Sequence, residues 1–184
     1  AFKGSNPFIG NLDYFLLANL TRESLSGSIP ESVFIIFQMT FAIITPALVV
    51  GAFAERMRFT AMVIFSSIWL LLVYIPACHL IWGGGYLGEL GVIDFAGGLV
   101  VHATCGIAAL VCAIVLGQRR EFNTQSIIPH NRSMVVMGAA MLWVGWSGFN
   151  AGSALSASTN AGMAILVTHI SAAMGALAWM GIEW

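Results

Sequence analysis

Charge is scarce in this chain. Only 7 Lys and Arg and 8 Asp and Glu occur among 184 residues, or 8% charged, against roughly 25% in ordinary globular chains. That shortage excludes a single water-soluble domain with a solvated charged surface. The net charge of -1 says nothing about nucleic acid, and no basic cluster is long enough to suggest a nucleic-acid partner. Cysteine is sparse as well. Cys78, Cys105 and Cys112 are odd in number, all lie in apolar stretches, and lack zinc-like spacing. They argue against a disulfide framework and against a thiolate metal centre, so no metal or cofactor is expected. Residues 1–30 lack the basic, apolar and small-residue regions of a secretory leader. The first residue is Ala1 rather than Met, and the expectation is an internal segment of a longer protein.

What is abundant is apolar. Hydrophobic residues make up 59% of the chain and the mean hydropathy is +0.89. Five apolar segments, at 32–54, 59–81, 94–117, 134–153 and 161–182, reach the ~20 residues that a helix needs to cross a bilayer. In lipid every backbone polar group must be paired within the segment, which favours helices. Barrel strands would be shorter and would alternate polar with apolar residues, which these do not. The expected fold class is therefore all-α, a polytopic membrane protein with five transmembrane helices. Residues 1–31 are expected to form an external loop and 32–184 the membrane domain. Residues 12–20 are expected to form a short interfacial helix. Pro46 and Pro76 fall inside spans and predict local kinks.

Loop charges orient the spans. Arg56 and Arg58 lie between the first two, and Arg119, Arg120 and Arg132 between the third and fourth; the second-to-third loop carries Glu89 and no base. The positive-inside rule places the Arg-bearing loops in the cytoplasm and residues 1–31 outside.

Few residues remain to carry chemistry. Asp94 opens an uncharged run that ends at Gly117, with His102 inside it roughly 12 Å deeper along a helix axis. Ionisable groups in membrane helices commonly face a pathway or the bundle interior. The alternative is a helix-start carboxylate capping backbone N–H groups and a hydrogen-bonded core histidine. For Asp94 the capping role is favoured, with a longer-range electrostatic effect on the nearby mouth. Phe37 and Phe41 share a helix face, as do Phe149 and Ser153, with Trp146 one turn before; Trp82 closes the second span at its outer end. Aromatic faces attract small cations by ~0.5–2 kcal/mol, and a serine oxygen accepts a directional hydrogen bond that an alkali ion cannot donate. The competing account, an aromatic belt plus core packing, is the commoner role for any one such residue. His79 is expected near the outer interface and His130 in an inner loop. His169, deep in the fifth span, has no partner identifiable from sequence and is read as packing. No nucleophile or metal constellation appears, so an enzyme is not expected.

These motifs resemble a known family. FQMTFAIITPALVVGAFAERMRF from Phe37, YIPACHLIWGGG from Tyr74, DFAGGLVVH from Asp94, PHN from Pro129 and GWSGFNAGSAL from Gly145 look like the ammonium transporter (Amt/Mep/Rh) family, Amt branch. The resemblance implies an eleven-helix inverted-repeat fold in the cell membrane, with this chain on the third to seventh spans, and a homotrimer with one pore per subunit. It implies an outer ammonium-binding site at Phe37, Phe41, Trp82 and Ser153, and a phenylalanine gate at Phe41 and Phe149. It also implies a pore histidine at His102 for lining or proton relay, and a structural and electrostatic role for Asp94. The expected partners are ammonium or ammonia, the lipid bilayer and a PII-type signalling protein on the cytoplasmic face. The family's second pore histidine lies beyond Trp184, so this chain is not expected to conduct alone. Pro46 departs from the smaller or branched residue usual in its span. A sensor built on the same fold is the alternative function.

Overall fold

The computed structural model describes residues 3–119, 122, 128 and 130–184. Arg120 and Pro129, used above for orientation and for one motif, lie outside the described residues. Among the described residues there are seven α-helices: α1 (Glu31–Val49), α2 (Phe59–Trp69), α3 (Ile75–Trp82), α4 (Tyr86–Glu89), α5 (Thr104–Leu116), α6 (Arg132–Gly152) and α7 (Thr159–Glu183). Two π-helical segments, Leu70–Tyr74 and Gly98–Ala103, join α2 to α3 and lead into α5. Among the described residues, five helical stretches are long and apolar enough to cross a membrane: Glu31–Ala52, Phe59–Glu89, Gly98–Leu116, Arg132–Gly152 and Thr159–Glu183. The protein is thus an all-α, multi-pass membrane protein.

The chain divides into two compact units. The first, residues 1–26 and 30–125, holds α1 to α5. Its core is a column of Phe41, Val49, Phe53, Trp69, Tyr74, Cys78, Val100, Val101 and Cys105, all buried. α1 packs on α5 and on the two π-helical segments. A π turn holds one residue more than an α turn, so it resets which face the following residues occupy. The turn at Leu70–Tyr74 ends just before Pro76, where a ring without an N–H interrupts α-helical pairing. At the end bearing Arg56, its guanidinium donates to the carbonyls of Gly117 and Ala52, and Arg119 pairs with Glu55 at 3.8 Å.

The segment before α1 is tied down rather than loose. Tyr86 N–H donates to the Pro7 carbonyl at 2.7 Å, and the Phe8 and Tyr86 rings stack at 5.7 Å. His79 is fully buried, its Nε2 2.7 Å from the Asn6 carbonyl. A carbonyl only accepts, so Nε2 carries the proton. His79, expected near the outer interface, is buried beneath the segment expected to lie outside. The interfacial helix expected at 12–20 reduces to a single 3-10 turn, Phe15–Leu17, with Leu16 at φ +51°.

The second unit, residues 27–29 and 126–184, is the hairpin of α6 and α7. Asn131 caps α6, its Oδ1 accepting from Met134 N–H at 3.0 Å. Polar side chains link the two helices. Trp143 Nε1 donates to His169 Nε2 at 3.1 Å, and Asn150 Nδ2 donates to Thr168 Oγ1 at 2.8 Å. His169 thus has a specific partner that sequence reading did not find. The pairing lies 26 residues apart along the chain, and no periodicity reports it.

Candidate functional site

The site starts from α1. Phe37 and Phe41 are one turn apart on one face, and their rings meet edge-to-face with centroids 4.9 Å apart. Aromatic quadrupoles favour that geometry. Phe41 is buried and Phe37 half-buried. Trp82 reaches Phe41 from the last residue of α3, again edge-to-face, at 5.5 Å. Three rings separated by up to 45 positions in sequence are therefore contiguous at one end of the first unit.

The Trp82 ring is held by its polar edge. Its Nε1 donates to the backbone carbonyl of Asp94 at 2.7 Å. Asp94 does not begin the third helix, as expected, but lies just before the Gly98–Ala103 segment and caps it. Its Oδ1 accepts from Gly97 N–H at 2.6 Å and Gly98 N–H at 2.8 Å; its Oδ2 accepts from Leu99 and Val100 N–H, both at 2.8 Å. Four otherwise unpaired N–H groups open a helix, and one carboxylate satisfies four donors here by charge-assisted bonds. Both oxygens are spent on backbone.

Beyond this cap the chain makes the π turn that carries His102. The Gly97 carbonyl accepts from both Val101 N–H (3.0 Å) and His102 N–H (2.9 Å). The His102 side chain is exposed on this unit, while Val100 and Val101 within the same turn are wholly buried.

The second unit carries the other predicted residues. Phe149 is buried and its ring stacks on Trp146, centroids 4.9 Å apart at 22°. Ser153 Oγ donates to the Phe149 carbonyl at 2.9 Å. Its proton is committed there, so what the hydroxyl offers another group is a lone pair. The structure brings Phe37, Phe41, Trp82 and Asp94 together in the first unit with His102 on the adjoining turn, and Phe149 with Ser153 in the second. Among the described residues no cluster of three or more His, Cys, Asp or Glu groups could hold a metal ion.

Sequence reading missed the part played by Gly97, the Trp82–Asp94 bond and the Trp143–His169 pair. Only the first had a local signal: the glycine pair following Asp94, which marks a backbone turn.

Multiple apolar crossings, with a ring cluster in the first unit and an exposed histidine on the adjoining π turn, define a polytopic helical membrane protein. The comparisons then specify the class. The model of the Ammonium Transporter Family matches residues 1–184. The chain is 47% identical to an ammonium transporter of Bacillus subtilis (strain 168), over 100% of this chain and 46% of that protein. It is 45% identical to ammonium transporter Amt1 of Archaeoglobus fulgidus, over 96% of this chain and 43% of that protein. The crystal structure of Candida albicans Mep2 superposes with a TM-score of 0.86 at 39% identity, covering 100% of this chain and 41% of that one. The chain belongs to the ammonium transporter family, a family of transporters rather than enzymes. It spans less than half the length of these relatives.

Proposed function

We propose that the protein containing this chain moves ammonium across a membrane, capturing the cation on Phe37, Phe41 and Trp82 and passing ammonia onward. The three-ring cluster, with Trp82 anchored by Asp94, carries this reading. Each desolvated ring face contributes on the order of 2 kcal/mol toward a cation. Ser153 adds an acceptor for one N–H, which favours ammonium over an alkali ion of similar charge.

Magnitudes decide what passes further. Moving a bare unit charge into an apolar medium costs tens of kcal/mol by Born estimates, far more than two or three rings return. The captured cation therefore gives up a proton, and neutral ammonia enters the apolar passage. The family resemblance supports a gate role for Phe41 and Phe149, and for His102 a role in lining the route and relaying the proton. Asp94 acts through structure and long-range field, because its oxygens are occupied by N–H groups. The complete protein works as a homotrimer and responds to a PII-type protein at its cytoplasmic face. Transport is preferred to sensing because the similar proteins are named as transporters.

The test is ammonium uptake by the complete protein in proteoliposomes. Trp82→Ala and Phe37→Ala should raise the half-saturating ammonium concentration. Saturation unchanged in both, in correctly assembled protein, rejects capture at this cluster.

A further inference from the structure

Gly97 occupies a position that only glycine adopts without strain. Its φ is +103°, in the left-handed region where an L side chain is strained. It is buried. A Cβ there would lie 2.7 Å from Val101 Cγ2, 3.1 Å from Val101 Cβ and 3.5 Å from the Trp82 ring. Val101 is itself wholly buried, so it has little freedom to withdraw.

The backbone of Gly97 is equally committed. Its N–H is held by Asp94 Oδ1, and its carbonyl accepts from Val101 and His102 together. That shared carbonyl spans one α-type and one π-type bond, and so sets where the helix widens and how His102 is presented. On its other side the same residue backs the Trp82 indole, whose N–H is fixed three residues earlier on Asp94. One residue thus backs an aromatic wall of the outer cluster and sets the pitch of the histidine turn.

We propose that Gly97 is a positioning residue that couples the seat of Trp82 to the presentation of His102. A side chain at this position disturbs capture and passage at once. The inference rests on the capture role assigned above to the aromatic cluster. Neighbouring Gly98 serves as the contrast. Its φ is not in the left-handed range, and a Cβ there would meet only Asp94 Oδ1 at 3.9 Å.

The experiment measures half-saturation and maximal ammonium flux separately, in the complete protein reconstituted in liposomes, for Gly97→Ala, Gly98→Ala and Gly97→Ala/Val101→Ala. Assembly is checked by size-exclusion chromatography. Gly97→Ala should raise half-saturation about tenfold and lower maximal flux about tenfold, since displacements near 1 Å at a positioned site have effects of that order or larger. Gly98→Ala should match wild type in both. Removing the Val101 methyls should restore part of both parameters to the Gly97→Ala protein, because it removes the closest contact. If Gly97→Ala does not assemble, the double variant carries the test, with both parameters displaced from wild type in the same sense.

Wild-type transport in an assembled Gly97→Ala protein overturns the inference. So does a loss of maximal flux at unchanged half-saturation, which is the pattern of fewer working copies. Equal losses in Gly97→Ala and Gly98→Ala overturn it too, because they mean general helix disturbance. Trp82→Ala, run alongside, separates the two levels. If it leaves half-saturation unchanged, the capture role itself fails, whereas normal Gly97→Ala beside an impaired Trp82→Ala rejects only the coupling.

Discussion

The indole N–H of Trp82 donates to the backbone carbonyl of Asp94 at 2.7 Å, and the carboxylate of that same residue accepts four N–H groups at the start of the third crossing. One acidic residue therefore stabilises a helix start and orients an aromatic wall without offering its charge as a direct ligand.

Loss of that cap should be felt twice. Asp94→Ala is expected to destabilise the complete protein by about 1–2 kcal/mol or more, the range of lost helix caps, and to raise half-saturation by displacing Trp82. Asp94→Asn keeps one acceptor oxygen and should lie between. Thermal unfolding in detergent, read beside uptake, checks both. An Asp94→Ala protein with normal stability and normal half-saturation contradicts the role.

The aromatic cluster predicts graded effects. Trp82→Ala and Phe37→Ala each remove a face worth ~0.5–2 kcal/mol to a cation, or roughly a 2–30-fold rise in half-saturation at 1.4 kcal/mol per decade. Trp82→Phe should be milder in ring contact yet still impaired, because the bond to Asp94 is lost. Initial uptake rates across a concentration series decide this.

His102→Ala in the complete protein should change ammonium flux or selectivity more than assembly. The side chain is exposed on its unit while Val100 and Val101 of the same turn are buried, so the backbone can persist without the imidazole. Wild-type flux and selectivity in an assembled His102→Ala protein reject a transport role.

The α6–α7 hairpin offers a stability prediction independent of transport. Trp143→Phe removes the donor to His169, and Asn150→Ala the donor to Thr168. Interhelical hydrogen bonds in membranes contribute about 0.6 kcal/mol on average and up to ~2. Each variant should lower thermal stability by that order, and both together by no more than their sum. A change above ~3 kcal/mol for either would place more than one bond there.

Orientation can be read by labelling. Ile93 is 90% exposed in the loop between the second and third crossings, and Gln118 is exposed just after the third. Cys78, Cys105 and Cys112 are all buried and give little background. Impermeant thiol reagent should label Ile93→Cys from outside and Gln118→Cys only from the cytoplasmic side. Gly85 is a poor labelling position, since a Cβ there would lie 2.6 Å from the His79 carbonyl. The reverse pattern overturns the topology.

The five crossings were legible because lipid imposes length and composition on each span separately. Every expected segment overlaps a helical stretch of the structure. The rings were also legible as residue types at helical spacing, and the linked motifs led from there to the family. What sequence could not reach was set by distant contacts. For His79 sequence suggested a depth but not its partner, because nothing nearby shows that Asn6, 73 positions earlier, covers it. His169 read as packing because Trp143 arrives from another helix. Asp94 carried the right residue type for a cap, but its place before the helix rather than within it follows from Gly97, whose positive φ turns the chain. Hydropathy along the chain decided which stretches cross the membrane, since burial in lipid is summed over local residues. Tertiary structure alone decided which side chains meet, since a hydrogen bond or ring contact depends on positions that the backbone brings within a few ångströms only after folding.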